Sequence, residues 1–344
     1  MNQFVNSGAG APTPAEDRAF LEVRNLVKYY PIQAGVMKKT VGHVKALDGV
    51  SFSIGRGKTM GLVGESGCGK STAGLTMLRL IPATSGDVFL DGDDVFAADK
   101  KKLTSLRTKM QIVFQDPYSS LNPRLPVWQI VGEAMLQHKI VGNKRELSER
   151  VIDIIGKCGL LPEQASRYPH QFSGGQRQRI CIARALAVGP RFVVCDEAVS
   201  ALDVSIQSQI INLLKDLQDE FGLTYLFISH DLAVVKFISD DVGVMYLGQM
   251  VEYGSKEQIF DDPLHPYTQA LLSAALTIEN KTWGTRKKRA VIEGDVPSPA
   301  NPPPGCRFHT RCPKADDYCK QAVPVSKEAE SGHFVMCHKV GIRD

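Results

Sequence analysis

Apolar and polar positions along the chain repeat with two periods, and their alternation sketches a mixed α/β fold. Residues 21–23 and 50–54 alternate apolar and polar side chains, which predicts strands of a small antiparallel sheet, with a loop around 35–42 between them. Residues 59–63 read as a buried strand. A glycine-rich turn follows, then a helix from about Lys70 to Leu80. Residues 86–92 alternate between two glycines, as a strand does. From about 117 to 188 the period becomes helical, with Leu147, Val151, Ile154, Ile155 and Cys158 on one face. Strand patterns return at 192–195 and 225–228. Between them Ile206, Ile210, Leu213, Leu214 and Leu217 mark an amphipathic helix. Such β–α–β alternation predicts a parallel sheet carrying an inserted helical subdomain.

The chain ends change the picture at both extremes. Residues 1–18 hold no apolar run and read as a disordered arm, neither a signal peptide nor an anchor. Beyond about residue 261 the sequence becomes proline-rich (Pro297, Pro299, Pro302, Pro303, Pro304) and then cysteine-rich. This divides the chain into an arm (1–18), a main domain (19–260, helical subdomain about 117–188) and a C-terminal extension (261–344). At 344 residues, one large domain with an appendage is the expected organisation. No stretch approaches the ~20 apolar residues that span a bilayer, so any membrane role is by docking, from the cytoplasmic side.

Charge adds little. The formal net charge of +4 is small for this length, and the tight basic runs are 100–102 and 286–289. Runs this short read as solvated faces, and nucleic acid is not an expected partner.

Gly64, Glu65, Ser66, Gly67, Cys68, Gly69, Lys70 and Ser71 fit the G-x-x-x-x-G-K-[ST] phosphate-loop pattern. The glycines let backbone N–H groups converge on one phosphate cluster, at the positive end of the following helix. Lys70 is placed to reach the β- and γ-phosphates of a nucleoside triphosphate, Ser71 to hold Mg²⁺, and Thr72 to reach the α-phosphate. The strand at 192–195 runs into Asp196 and Glu197. An Asp there holds Mg²⁺ in phosphate-loop enzymes, and the adjacent Glu can polarise the attacking water. His230, after the next strand, is a third polar group delivered to a strand end, the edge where open α/β sheets bind ligands; it reads as a γ-phosphate sensor.

A second glycine-rich helix start, Ser173, Gly174, Gly175 and Gln176 preceded by Phe172, is a second anion site. One nucleotide does not easily occupy both loops of a compact chain. Two chains head to tail, each closing ATP between its own phosphate loop and its partner's serine–glycine loop, solve this economically.

These motifs together resemble the ABC ATPases over about residues 21–262, with Phe172 where their signature begins with Leu and Ala198 where Pro usually follows the catalytic Glu. The resemblance implies a P-loop NTPase with a RecA-like core, an antiparallel β-subdomain and a helical subdomain. It implies that Gln115 is the glutamine linking the Mg²⁺ site to a transmembrane partner, and that Asp203, ending Ser200-Ala201-Leu202-Asp203, crosses the dimer interface. Tyr30 is then the aromatic stacking on adenine, with Tyr29 as its rival. Residues 114–124, 168–172 and 265–272 are similar to the ATPases of dipeptide and oligopeptide permeases, the second of their two ATPase subunits. That likeness implies a heterodimer with a sister ATPase, two permease subunits, and an extracytoplasmic substrate-binding protein. Related permeases carry nickel, glutathione or oligosaccharides. A soluble ABC ATPase of translation or DNA repair usually needs paired cassettes or a long coiled coil, and neither is visible here.

Four of the eight cysteines, Cys306, Cys312, Cys319 and Cys337, crowd the tail with spacings of five, six and seventeen residues. In a reducing compartment, soft ligands in this number suit a metal better than disulfides. The spacing fits neither tight zinc pairs nor the compact ferredoxin run. Similarity to permease ATPases with such tails implies a [4Fe–4S] cluster, with Zn²⁺ or unliganded thiols as alternatives. His309, His333 and His338 are spare ligands for zinc. An iron–sulfur sensor regulated by nucleotide is the rival from a different class.

Overall fold

The computed structural model describes residues 19–35, 38–279 and 294–341. The expected N-terminal arm and the basic run 286–289 lie outside them. Among the described residues twelve strands form two sheets: β1 (Leu21–Ala34), β2 (Lys39–Ile54), β3 (Thr59–Val63), β4 (Ser85–Leu90), β5 (Asp93–Asp94), β6 (Met110–Val113), β7 (Phe192–Asp196), β8 (Thr224–Ile228), β9 (Asp241–Tyr246), β10 (Gln249–Ser255), β11 (Lys327–Glu330) and β12 (His333–Val335). The smaller sheet is antiparallel, ordered β2-β1-β4-β5. The larger is ordered β11-β12-β10-β9-β3-β8-β7-β6 and is parallel from β9 to β6.

The parallel strands explain why β3, β7 and β8 show no polar alternation: every residue in them is buried. Successive side chains feed two different cores. Val193, Cys195, Tyr225 and Phe227 join the main core, which the helical subdomain shares. Phe192, Val194, Leu226 and Ile228 join the core under the small sheet. A sheet covered on both faces leaves only its strand ends free for chemistry.

The small-sheet hairpin is much longer than its clean alternation suggested, and the loop expected at 35–42 shrinks, since β2 already begins at Lys39. Register shifts at Val23/Leu26, Leu26/Val27, Lys28/Tyr29 and Ile32/Gln33 break the two-residue period and hide the strand from a pattern reading. The helix after the phosphate loop spans Lys70–Met77 and ends earlier than expected, where Arg79 turns left-handed at φ 51°.

The C-terminal extension does not stand apart. β12 pairs with β10 through Glu252↔Val335 and Tyr253↔Phe334, adding tail strands to the main sheet. Phe308 lies in the main core, its ring 5.2 Å from Tyr246 and 5.4 Å from Tyr267. Buried Glu252 accepts N–H bonds from Leu264 and His265 and pairs with His333, tying β10 to β12.

Candidate active site

The strand ends of β3, β7 and β8 lie side by side, because Leu62 and Asp196 both align with Ile228. From β3 the chain enters the phosphate loop with Gly64, Gly67 and Gly69 all at positive φ. Two of these positions admit nothing larger than hydrogen. A Cβ on Gly64 would stand 2.2 Å from the Met245 carbonyl oxygen, and one on Gly69 2.3 Å from that of Ala46. Lys70, buried, folds across the loop, its Nζ donating to the carbonyls of Gly64 (2.8 Å) and Glu65 (3.1 Å). Its charge thus sits in the middle of the backbone cradle. Cys68 is buried beside it, its thiol pushed up by that burial.

Ser71 Oγ donates to Asp196 Oδ1 at 2.7 Å, joining residues 125 apart in sequence. Burial, with the neighbouring Glu197 charge, raises the Asp196 carboxyl above the usual range, while the Ser71 bond and Lys70 pull it back. Two oxygen donors this close suit a hard cation such as Mg²⁺.

Glu197 adopts φ 48°, a left-handed conformation that costs a non-glycine residue about 1 kcal/mol. Its N–H donates to Ile228 O and Ser200 N–H donates to its carbonyl, which holds the turn. The side chain emerges at the meeting point of three chain segments. Glu197 Oε2 accepts from Gln115 Nε2 at 3.0 Å and lies 3.4 Å from His230 Nδ1.

Ser173 caps the helix Gly174–Leu186 in a reciprocal box. Gln176 N–H donates to Ser173 Oγ, and Ser173 N–H donates to Gln176 Oε1. Gln176 is therefore spent on the cap. Asp203 caps Val204–Phe221 through Ile206 N–H, and the Ser205 hydroxyl and that N–H hold its carboxyl below the usual range. The two tyrosines differ. Tyr29 is tied by its hydroxyl to Asp48, and burial raises that phenol to about 12. Tyr30 is exposed, with Lys28 Nζ 4.7 Å from its ring centre.

In the tail, Cys306 N–H donates to Cys319 O at 2.8 Å, and burial pushes the Cys306 thiol up to about 11. Yet among the described residues no group of three or more His, Cys, Asp or Glu side chains is gathered as a metal would need. The expected four-thiolate shell is not assembled among the described residues. Cys306 and Cys312 pack against the main core, and Cys337 joins Leu264, Ala329 and Val335.

The sequence reading assigned no role to Arg307, Arg311 or Tyr267, which also line this region. Arg311 forms a two-pronged pair with Glu65, and Tyr267 Oη accepts the Glu65 N–H. With separations of 246 and 202 residues, no local pattern could reveal them.

A family model described as "ABC transporter" matches residues 47–200, and one described as "Oligopeptide/dipeptide transporter, C-terminal region" matches residues 251–319. The chain is 54% identical over 327 residues to the oligopeptide transport ATP-binding protein AppF of Bacillus subtilis (strain 168), covering 95% of this chain and 99% of that protein. The chain belongs to the ATP-binding subunits of oligopeptide/dipeptide ABC transporters. Solved ABC cassettes share its fold. The dimeric cassette MJ0796 bound to ADP and Pi is 29% identical with a TM-score of 0.61, covering 69% of this chain and 98% of that one. The cassette cbiO1 from Clostridium perfringens is 28% identical with a TM-score of 0.60, covering 71% and 91%. The cover of 69% and 71% leaves part of this ABC subunit without a counterpart in either structure. No helix among the described residues is long and apolar enough to cross a membrane.

Proposed function

We propose that this chain hydrolyses ATP to drive an ABC importer of dipeptides or oligopeptides, working at the cytoplasmic face of the membrane. The observation that carries the reading is the convergence of Gln115 and His230 on one oxygen of Glu197, next to the Ser71–Asp196 pair and the Lys70 loop. Glu197 is the base that takes a proton from the attacking water. Lys70 and His230 stabilise the negative charge on the transferring phosphoryl group. Mg²⁺ arriving with ATP offsets phosphate charge, and Ser71, Asp196 and Gln115 are the residues to hold it. Tyr30, left free where Tyr29 is tied down, is the residue for adenine, and Thr72 the one for the α-phosphate. Gln115 belongs to a loop leading directly into the helix Pro117–Ser120, so displacement of that loop by a docked permease displaces the base's partner.

Ser173, Gly174 and Gly175 serve the nucleotide of a sister ATPase, and that subunit's equivalent loop serves this one, with Asp203 at the interface. Two permease subunits and an extracytoplasmic binding protein complete the assembly. Peptide cargo is favoured over nickel, glutathione or oligosaccharide by the likeness to an oligopeptide transport protein over nearly the whole chain. The soft donor chemistry of Cys306, Cys312, Cys319 and Cys337 supports a structural centre, [4Fe–4S] or zinc, which these four thiols would hold. No catalytic step runs through it.

Glu197→Gln tests the assignment. It keeps the Gln115 contact but removes the base, so MgATP still binds while turnover falls by about a thousandfold and the closed dimer accumulates. Hydrolysis at the parental rate would assign the base elsewhere.

A further inference from the structure

The segment between Cys306 and Cys312 turns back on itself, with His309 N–H donating to Cys306 O and Arg311 N–H donating to Phe308 O. It aims two arginines at the walls of the nucleotide site. Arg311 Nη1 and Nη2 donate to Glu65 Oε2 and Oε1 at 2.8 and 3.0 Å, a fork on a carboxylate, and its side chain is 7% exposed. Arg307 pairs with Asp48 and donates to the Leu247 carbonyl. The neighbouring backbone links these grips: Asp48 N–H donates to Gly248 O, and Gly248 N–H to Cys68 O inside the phosphate loop.

Glu65 is the point where these grips meet. The C-terminal extension holds its carboxylate through Arg311 and its N–H through Tyr267 Oη at 2.9 Å. Its carbonyl accepts from Lys70 Nζ. A loop built on Gly64, Gly67 and Gly69 has few side chains with which to hold its own shape, and glycine loses the most conformational freedom on ordering. Fixing Glu65 at its N–H, its carbonyl and its carboxylate restrains the part of the loop that must aim its N–H groups at phosphate. A bidentate arginine does this with a geometry that a point charge lacks.

We propose that Arg311, acting through Glu65, is a positioning residue that presets the phosphate loop, so that the C-terminal extension sets the affinity for ATP. This rests on the reading of residues 64–71 as the ATP site.

The test uses the full-length chain with Arg311→Met, Arg311→Lys, Glu65→Gln and the double variant Arg311→Met/Glu65→Gln. Equilibrium binding of a fluorescent ATP analogue with Mg²⁺ is measured, along with KM and kcat. Arg311→Met and Glu65→Gln should each weaken nucleotide binding and raise KM by about tenfold, with kcat within about twofold of parental. Arg311→Lys should recover part of the loss, and the double variant should be no worse than either single one. Should Arg311→Met fail to fold, Glu65→Gln, which leaves the extension untouched, decides alone. Parental affinity in Glu65→Gln, or losses that add in the double variant, would overturn the proposal. Lys70→Ala separates the two readings. If it abolishes binding while Glu65→Gln is unchanged, only the positioning role falls. If Lys70→Ala binds as the parent does, the ATP-site reading falls with it.

Discussion

His265 offers a test of how the extension is held to the cassette. It is 1% exposed, and its Nδ1 accepts the Tyr267 N–H at 3.0 Å, an arrangement that requires an unprotonated Nδ1. Protonation would set one N–H against another in a site without water's help. Burial accordingly pulls the imidazole from its ordinary 6.5 to about 4, against an opposing pull from Glu252. The sign follows from proton counts. Between pH 6.5 and 4 the unfolded chain binds a proton that the folded chain refuses, so stability is full above 6.5 and falls as pH drops toward 4. With those two values the loss from this residue reaches about 2 kcal/mol at pH 5 and approaches ~3 kcal/mol below pH 4. His265→Asn keeps an acceptor for Tyr267 but cannot take up the proton. Urea unfolding of nucleotide-free parent and variant at pH 7 and pH 5 isolates the effect, because other titrating groups cancel in the double difference. The parent should lose about 2 kcal/mol more than the variant on acidification. Parallel pH profiles would refute the reasoning.

Gly69→Ala should abolish ATP binding and cost about 2–4 kcal/mol of stability, since its methyl group meets the Ala46 carbonyl at 2.3 Å in a left-handed conformation; isothermal titration and thermal unfolding check both. Anaerobically purified protein should be brown, with broad absorbance near ~400 nm that Cys312→Ala removes. Metal analysis that finds neither iron nor zinc would leave the tail cysteines as unliganded thiols.

The motifs legible in the sequence are those whose chemistry needs neighbouring residues. The phosphate loop, the Asp196–Glu197 strand end and the Ser173 cap are each built by a few consecutive positions. Their backbone geometry is local, so residue type and spacing predict it. Strands β3, β7 and β8 were legible for a related reason: burial on both faces leaves an unbroken apolar run. The hairpin β1–β2 was only half legible, because its bulges interrupt the alternation that marks a strand.

Tertiary structure alone decided which distant groups meet. The sequence by itself supplied Gln115, Glu197 and His230 as candidates, but only the parallel sheet brings them to one carboxylate oxygen. It marked the tail as an appendage, and only the fold shows that β11 and β12 extend the main sheet and that Arg311 reaches the phosphate loop across 246 residues. It gathered four cysteines by count, whereas packing sets Cys306 and Cys312 against the main core and Cys337 in a small separate cluster. The reason is common to all three cases. Local backbone preference acts over a few residues, while ion pairs, sheet register and core packing are chosen by the folded chain as a whole.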